Sequence, residues 1–177
     1  MSHDHGGPLR TPLEGLERLV SAREAEAWSP ERWNQLRVLA VGRMQHRDLP
    51  DGTRIRWGRL ALAALPGKYP EGPSQEMVIE SVRVRAYLLR EFGADDADPA
   101  RDLSALLADA TRNLGMSRET AARLAGEWRG LSREQMLRLR LVKNTLSALL
   151  PVLPLLEDGD FSLGDLRAWL ELVPRLP

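Results

Sequence analysis

Helix-start signals recur along this chain of 177 residues. Thr11-Pro12-Leu13-Glu14, Ser29-Pro30 and Asp98-Pro99 each join a capping side chain to a proline that suits the first helical turn. Ser132 is followed three residues later by Gln135, which is the spacing of a capping box. Apolar residues recur after these signals at helical intervals, and only 54–57 alternates like a strand. We therefore predict an all-α protein, a compact bundle of seven to eight helices that forms one body or two small helical lobes.

The same signals place the individual helices and the breaks between them. The predicted helices cover 11–28, 30–44, 55–65, 74–92, 98–114, 117–128, 132–150 and a last segment that starts at Ser162. Turn-forming residues separate them at 48–52, 66–73, Gly115, Gly130 and Pro151. The predicted inward faces include Trp33, Leu36, Ala40 and Met44, then Val78, Val82 and Leu89, and finally Leu163, Leu166, Leu170 and Val173.

Composition changes along the chain suggest four segments. We expect a disordered tail at 1–10, an N-terminal helical part at 11–92, an acidic linker at 93–98 and a C-terminal helical part at 99–177 that carries the basic helices. The linker contains Asp95, Asp96 and Asp98, for which we expect a solvated role.

Charge is distributed unevenly although the protein as a whole is neutral, with 25 basic and 25 acidic residues. Residues 110–145 contain eight basic and three acidic side chains, a net charge of +5 (8 − 3). Residues 60–109 contain five basic and nine acidic side chains. A local basic face on a neutral protein suggests an anionic partner such as nucleic acid.

The basic residues of the second half are our candidates for contacts with nucleic-acid phosphates. They are Arg123, Arg129, Arg133, Arg138, Arg140 and Lys143. Arg133, Arg140 and Asn144 are spaced at i, i+7 and i+11 and so share a helix face. We assign Met136, Leu137 and Leu141 to the apolar side of that helix. Such a helix buries one face and offers cations to a phosphate backbone without a sequence preference.

A second interpretation is a dimeric helix-turn-helix transcriptional regulator. Residues 114–124 resemble the turn and recognition helix of that motif, with Gly115 at the turn. In this interpretation Ala121 and Leu124 pack inward. Arg118, Thr120 and Arg123 then project toward a DNA groove.

A third interpretation is a helical adaptor or immunity-type protein that binds another protein. Its surface would be the apolar segment 146–156 together with Trp169, exposed as one patch. We expect the five tryptophans (Trp28, Trp33, Trp57, Trp128 and Trp169) to pack in the core or at the edge of a partner surface, and not to stack on bases.

No recognisable catalytic or metal-binding motif is present, so we expect a protein that is not an enzyme and has no cofactor. The chain contains no cysteine, no phosphate-cradling glycine loop and no G-x-S-x-G or H-E-x-x-H motif. His3 and His5 belong to the predicted tail, and His46 has no obvious partner at ligand spacing. Asp158-Gly159-Asp160 lacks the glycine and glutamate that a calcium loop requires.

The sequence also suggests a cytoplasmic location. The N-terminal residues show neither the basic region nor the apolar run of a signal peptide. The longest apolar run, 146–156, is interrupted by two prolines and is too short to span a bilayer. We expect a soluble cytoplasmic protein with no membrane partner.

Three stretches carry a resemblance to one known family: Trp33-Asn34-Gln35-Leu36-Arg37, residues 132–142 and residues 160–169. They are similar to an arginine-bearing early helix, a late Q-L-R-R-L-L helix and a closing tryptophan pattern in the CasB-type small subunit of the bacterial CRISPR Cascade surveillance complex. The resemblance implies an all-α subunit without a catalytic site that helps hold guide RNA and displaced DNA beside protein partners. It also implies that Arg37, Arg138 and Arg140 contact nucleic acid.

Overall fold

All regular secondary structure in the described part of the chain is helical. The computed structural model describes residues 11–112, 114–152 and 163–177, without the side chains of Arg112 and residues 163–165. Within these ranges it contains eight α-helices of eight or more residues, one single-turn helix and no strand, which confirms the predicted all-α fold. The helices are α1 (Leu13–Ser21), α2 (Pro30–Gln45), α3 (Asp51–Ala63), α4 (Leu65–Lys68), α5 (Gln75–Phe92), α6 (Leu103–Arg112), α7 (Arg118–Gly126), α8 (Arg133–Leu149) and α9 (Leu163–Leu170). Short 3₁₀ turns occur at Glu24–Ala27, Trp128–Gly130 and Val173–Arg175.

The chain divides into two compact units, with the boundary between Met77 and Val78 inside α5. The sequence predicts the boundary at the acidic segment 93–98. In the structure that segment belongs to the second unit.

The first unit is built on the packing of α2 against α3 and α4. The Ser29 hydroxyl caps α2 by accepting a hydrogen bond of 3.3 Å from the Arg32 amide, as the Ser-Pro signal predicts. The inward face of α2 is also as predicted, with four buried residues: Trp33, Leu36, Ala40 and Met44. Residues 54–57 lie within α3, so their strand-like alternation does not produce a strand.

Arg54 is buried in this unit and joins α2 to α3. Its Nε donates to the Met44 carbonyl at 3.0 Å, and its Nη1 donates to Asp51 Oδ1 at 3.2 Å. Met44 lies in the last turn of α2, where backbone carbonyls have no partner inside the helix. Arg54 therefore satisfies a helix-end carbonyl that would otherwise be buried and unpaired.

Arg56 holds α1 against α3. Its Nε donates to Glu17 Oε1 at 3.0 Å, and its Nη1 donates to Glu14 Oε1 at 3.2 Å. A hydrogen bond from the Glu14 backbone amide lowers the pKa of the Glu14 carboxyl below 4.5, and the Arg56 guanidinium lowers it further. The Glu17 carboxylate in turn raises the pKa of Arg56.

The second unit has its own apolar core, to which α5 through α9 contribute. Val78, Val82 and Leu89 of α5 are buried as predicted. Other core residues are Leu106, Ala110, Ala121, Leu124, Leu139, Val142, Leu146, Leu149, Leu166, Trp169, Leu170 and Val173.

The acidic segment of this unit is not the solvated linker that we expected. Asp98 is only 2% exposed, and its Oδ2 accepts from Arg101 Nε at 2.9 Å. Asp95 Oδ2 accepts from Arg101 Nη2 at 2.5 Å. Two carboxylates thus enclose one guanidinium in a tight turn, which explains why Asp98 can be buried.

Several predicted helix ends were wrong because local interactions favour another start or stop. Arg23 adopts a left-handed conformation (φ 59°), which ends α1 before Trp28. Pro12, not Thr11, occupies the N-cap position of α1, without a side-chain cap. Asp98-Pro99 does not start a helix; Asp102 caps α6 by accepting from the Ser104 amide at 2.8 Å. The predicted loop 66–73 contains part of α4.

A glycine substitution tests the packing of the first unit. A Cβ atom at Gly67 would overlap the Trp33 indole, whereas a Cβ atom at Gly42 meets nothing within 4 Å. We expect Gly67→Ala to lower the free energy of unfolding by about 1–3 kcal/mol. Gly42→Ala in α2 should raise it by roughly 0.5–1 kcal/mol. Urea unfolding followed by circular dichroism measures both, and equal effects would contradict the packing described.

A second prediction concerns pH. The folded-state pKa of Glu14 is lowered, so the stabilisation it provides is present above the unfolded value of 4.5 and is lost as the pH falls through the folded value. Glu14→Gln removes this titration. We expect the melting temperature of the variant to fall less than that of the wild type between neutral pH and about pH 3. If the melting temperatures of the variant and the wild type fall by the same amount over that pH range, Glu14 has no such role.

Candidate nucleic-acid interface

The candidate interface is centred on α8, whose start is set by a capping box. The Ser132 hydroxyl accepts a hydrogen bond of 3.2 Å from the Gln135 amide. The Gln135 side chain accepts one of 2.9 Å from the Ser132 amide. These two bonds satisfy backbone donors that lack partners at a helix start, and they confirm the capping box predicted from the sequence.

Burial along α8 is uneven. Its buried residues are Leu139, Val142, Thr145, Leu146 and Leu149, all in the part of the helix from 139 onward. Residues 133–138 include no buried side chain. The second half of α8 therefore anchors the helix in the core, while its first half lies at the surface.

One face of α8 points to solvent along most of the helix. Arg133, Leu137, Arg140 and Asn144 lie within about 60° of one another around the helix axis, and all four are exposed. We call these four residues the α8 stripe. The predicted common face of Arg133, Arg140 and Asn144 is confirmed.

The predicted apolar side of α8 was wrong in one respect. Leu137 is 57% exposed and lies between the two arginines of the α8 stripe, not in the core. Met136 and Leu141 are half-buried. The inward face is formed instead by Leu139, Val142 and Leu146, which lie on the side of the helix opposite the α8 stripe.

The arginines of α8 differ in their electrostatic surroundings. Arg138 Nη2 donates to Glu134 Oε1 at 2.7 Å, one helical turn away. Arg133 and Arg140 are exposed, and neither has a hydrogen bond or ion pair to another residue in the described part of the chain. They are therefore available to an external anion without the loss of an existing partner.

The preceding helix, α7, carries two more of the predicted cations. The Ser117 hydroxyl caps α7 by accepting from the Thr120 amide at 3.2 Å. Arg118 is half-buried, with Nη2 at 3.7 Å from Glu119 Oε1. Arg123 is exposed and donates to Glu127 Oε2 at 3.4 Å.

Glu119, in the first turn of α7, has a lowered pKa, which favours its ionised form. A hydrogen bond from its own backbone amide lowers its pKa most, and a hydrogen bond from the Ser117 hydroxyl adds to this effect. Glu119 therefore stays ionised beside Arg118, which reduces the positive charge that Arg118 offers to a partner.

Between α7 and α8, the 3₁₀ turn Trp128–Gly130 exposes an aromatic ring. Trp128 is 49% exposed, and the Arg129 guanidinium carbon lies over its ring at 5.4 Å from the centroid. Trp33, Trp57 and Trp169 are buried, as expected for core tryptophans. Trp128 was missed because Leu124 and Leu131 on either side gave it an apolar sequence context. The adjacent Gly130 and Arg129 were the available signal of exposure.

Two of the predicted contacts are placed differently from the others. Lys143 is half-buried and donates to the Leu176 carbonyl at 2.8 Å, so it fastens the C-terminal residues to α8. Arg37 belongs to the first unit, is half-buried and donates to Asn34 Oδ1 at 3.2 Å. Neither is a freely exposed cation.

The positive charge of residues 110–145 is balanced only in part. The ion pairs of Arg123 and Arg138 are with glutamates inside this stretch. In the acidic stretch, the ion-pair partners of Asp98 and Asp109 are Arg101 and Arg85, which belong to that stretch as well. Local pairing of this kind leaves Arg133 and Arg140 as a surplus of positive charge.

Part of the geometry that the helix-turn-helix interpretation requires is present in the structure. Gly115 has a φ of 67°, and Ala121 and Leu124 are buried, as that motif requires. The start of α7, however, lines a surface depression of about 380 Å³. Its other side is formed by residues of α9 and the turn that follows, including Glu171 and Arg175. This arrangement places an acidic side chain beside the face that would enter a groove.

The predicted adaptor surface is mostly core in the part of it that the structure describes. Leu146, Leu149, Val152 and Trp169 are all buried, so these residues do not form an exposed patch. Among the large apolar side chains described in 146–152, only Leu150 is exposed, at 43%. Residues 153–156 lie outside the described ranges.

No group of three or more metal-ligating side chains occurs among the described residues. His46 Nδ1 lies 3.7 Å from Asp48 Oδ2, a carboxylate partner that the sequence did not suggest. His3, His5, residues 158–160 and Ser162 lie outside the described residues. Within the described helices, none is long and apolar enough to cross a bilayer.

Comparison with known proteins adds no relative. No protein family matches the sequence, and no curated protein or solved structure is similar to it at a significant level.

The capping box provides a stability test of the interface. Ser132→Ala removes the hydroxyl that accepts from the Gln135 amide, so we expect a loss of about 0.5–2 kcal/mol in the free energy of unfolding. Ser104→Ala is the matched control, because Ser104 is exposed near the start of α6 and the cap there is Asp102. Its effect should stay within about 0.5 kcal/mol. Chemical denaturation compares the two, and equal losses would contradict a special role for Ser132.

Proposed function

We propose that this chain is a non-enzymatic helical subunit that binds the phosphate backbone of nucleic acid within a larger assembly. The observation that carries the proposal is the α8 stripe. Arg133 and Arg140 are exposed on one face of a helix anchored in the core, and neither has an acidic partner in the described part of the chain. We propose the cytoplasm as the location of this function.

The geometry of the α8 stripe suits a phosphate backbone. Arg140 lies seven positions after Arg133, which corresponds to about 10 Å along the helix axis. Each guanidinium can donate two parallel hydrogen bonds to a phosphate. Contacts of this kind fix the position of the nucleic acid without reading its bases, so little sequence preference is expected.

Neighbouring cations would contribute less to binding. Arg123 and Arg138 are exposed but already paired with Glu127 and Glu134. A phosphate must compete with these carboxylates, although surface pairs of this kind contribute little to stability and exchange readily. Arg129 lies beside the stripe in sequence and adds positive charge next to Trp128.

The resemblance to the CasB-type small subunit suggests what kind of assembly this is. That family is all-α, as this chain is. Two of the three residues that the resemblance assigns to nucleic acid, Arg138 and Arg140, are exposed on α8. A role in a CRISPR surveillance-like complex, with protein partners, is therefore our proposal for the context in which the stripe acts.

Binding to nucleic acid should be electrostatic and should depend on the α8 stripe. We expect wild-type protein to bind labelled random-sequence DNA and RNA, with an affinity that falls steeply with salt. In Arg133→Glu/Arg140→Glu the affinity at low salt should fall at least about tenfold, and the salt slope should shrink by roughly 1.5. Fluorescence anisotropy across a salt series measures both quantities.

The matched control is Arg47→Glu/Arg83→Glu, which changes the net charge equally at two exposed arginines outside the basic stretch. Its affinity should remain close to that of the wild type. Equal losses in both double variants would mean that only net charge matters. Sequence-specific binding by a dimer that survives high salt would instead support the helix-turn-helix alternative. Absence of any binding at low salt would reject the proposed function and favour a protein-binding adaptor.

A further inference from the structure

We propose that Trp128 and Arg129 form a base-stacking subsite, which makes unpaired nucleic acid, rather than duplex, the ligand of the basic surface. This inference rests on the proposed function, because stacking on one ring needs the neighbouring cations to hold the strand. It concerns a different property, the selection between single strands and duplexes.

The first observation is the exposure of Trp128. Large aromatic side chains are normally buried, and three other tryptophans of this chain are. Trp128 instead leaves 49% of its surface in solvent, on a turn between two cation-bearing helices. Among the described residues of the second unit, Trp128 belongs neither to the buried core nor to the half-buried apolar residues packed against it.

The second observation is the position of Arg129. Its guanidinium carbon lies over the Trp128 ring at 5.4 Å, so one cation is held against the aromatic surface. An aromatic ring with an adjacent cation is the pairing that single-strand binding sites use, because the ring stacks on a base and the cation attracts the phosphate. Every base has a flat face, so this pairing tolerates any sequence.

The third observation is the connection to the α8 stripe. Trp128 is five residues before Arg133, and Ser132 between them fixes the start of α8. A strand whose base stacks on Trp128 can therefore continue toward Arg133 and Arg140. In a duplex the bases are stacked on one another and paired, so their faces are not accessible to Trp128. Only an unpaired strand can use both the ring and the arginines.

The test compares single strands with a duplex. The probes are labelled oligothymidine and oligouridine of about 20 nucleotides and the duplex of the oligothymidine with oligoadenosine. Wild-type protein should bind both single strands more tightly than the duplex. Trp128→Leu should weaken single-strand binding about tenfold while leaving duplex binding and the salt slope unchanged, because no cation is removed. Trp128→Phe, which keeps an aromatic face, should retain most of the affinity.

The outcomes separate this inference from the proposed function. Suppose that the wild-type protein binds single strands and duplex in a salt-dependent way, and that Trp128→Leu changes neither the single-strand affinity nor the duplex affinity. The stacking subsite is then rejected and phosphate binding stands. The same conclusion follows if Trp128→Leu and Trp128→Phe weaken binding equally. If the wild type binds no probe at low salt, both proposals fail. Matching melting temperatures of the three proteins establish that folding is not the variable.

Discussion

The rotation of α8 about its own axis is set by four buried side chains, Leu139, Val142, Leu146 and Leu149. Each is at most 1% exposed, so turning the helix would bring large apolar surfaces into water at a considerable free-energy cost. This anchoring also determines which residues of the helix meet solvent. Arg133, Leu137 and Arg140 are exposed because they lie opposite the buried set. The candidate interface is thus a consequence of how the core of the second unit is packed.

Local ion pairing explains how a neutral protein can present a cationic surface. Acidic side chains in the acidic stretch 60–109 and in the basic stretch 110–145 are paired with nearby arginines, as in Asp98 with Arg101 and Glu134 with Arg138. Pairs between neighbours in sequence form readily, since they require little ordering of the chain. The surplus cations Arg133 and Arg140 are left without an acidic partner in the described residues. Overall charge is therefore a poor guide to the surface of this protein.

The helical fold could be predicted largely from local signals. The caps Ser29, Ser117 and Ser132 each satisfy backbone donors through contacts within four residues, which a sequence displays directly. Predictions failed where the deciding interaction is also local but has no recognisable sequence pattern. Arg23 adopts a left-handed conformation that no pattern signals, and Asp98 is buried because it pairs with Arg101.

The candidate site was predictable in composition but not in detail. The clustering of arginines is visible in the sequence, and so is the common face of Arg133 and Arg140. Apolar residues at 136, 137, 139, 141 and 142 are compatible with more than one buried face, and tertiary packing selects the one without Leu137. The exposure of Trp128 likewise depends on where the core ends. Leu137 could not be assigned to the surface before the packing was known, whereas Arg129 and Gly130 beside Trp128 were a local signal of its exposure.

The most direct test of the account is to map where nucleic acid touches the protein in solution. Titration of isotopically labelled protein with a random-sequence oligonucleotide, followed by nuclear magnetic resonance, reports each backbone amide and arginine side chain separately. The account predicts that chemical shifts change at 128–144, with the largest effects at the Arg133 and Arg140 side chains. Changes centred elsewhere, or an unperturbed α8 at saturating oligonucleotide, would contradict it.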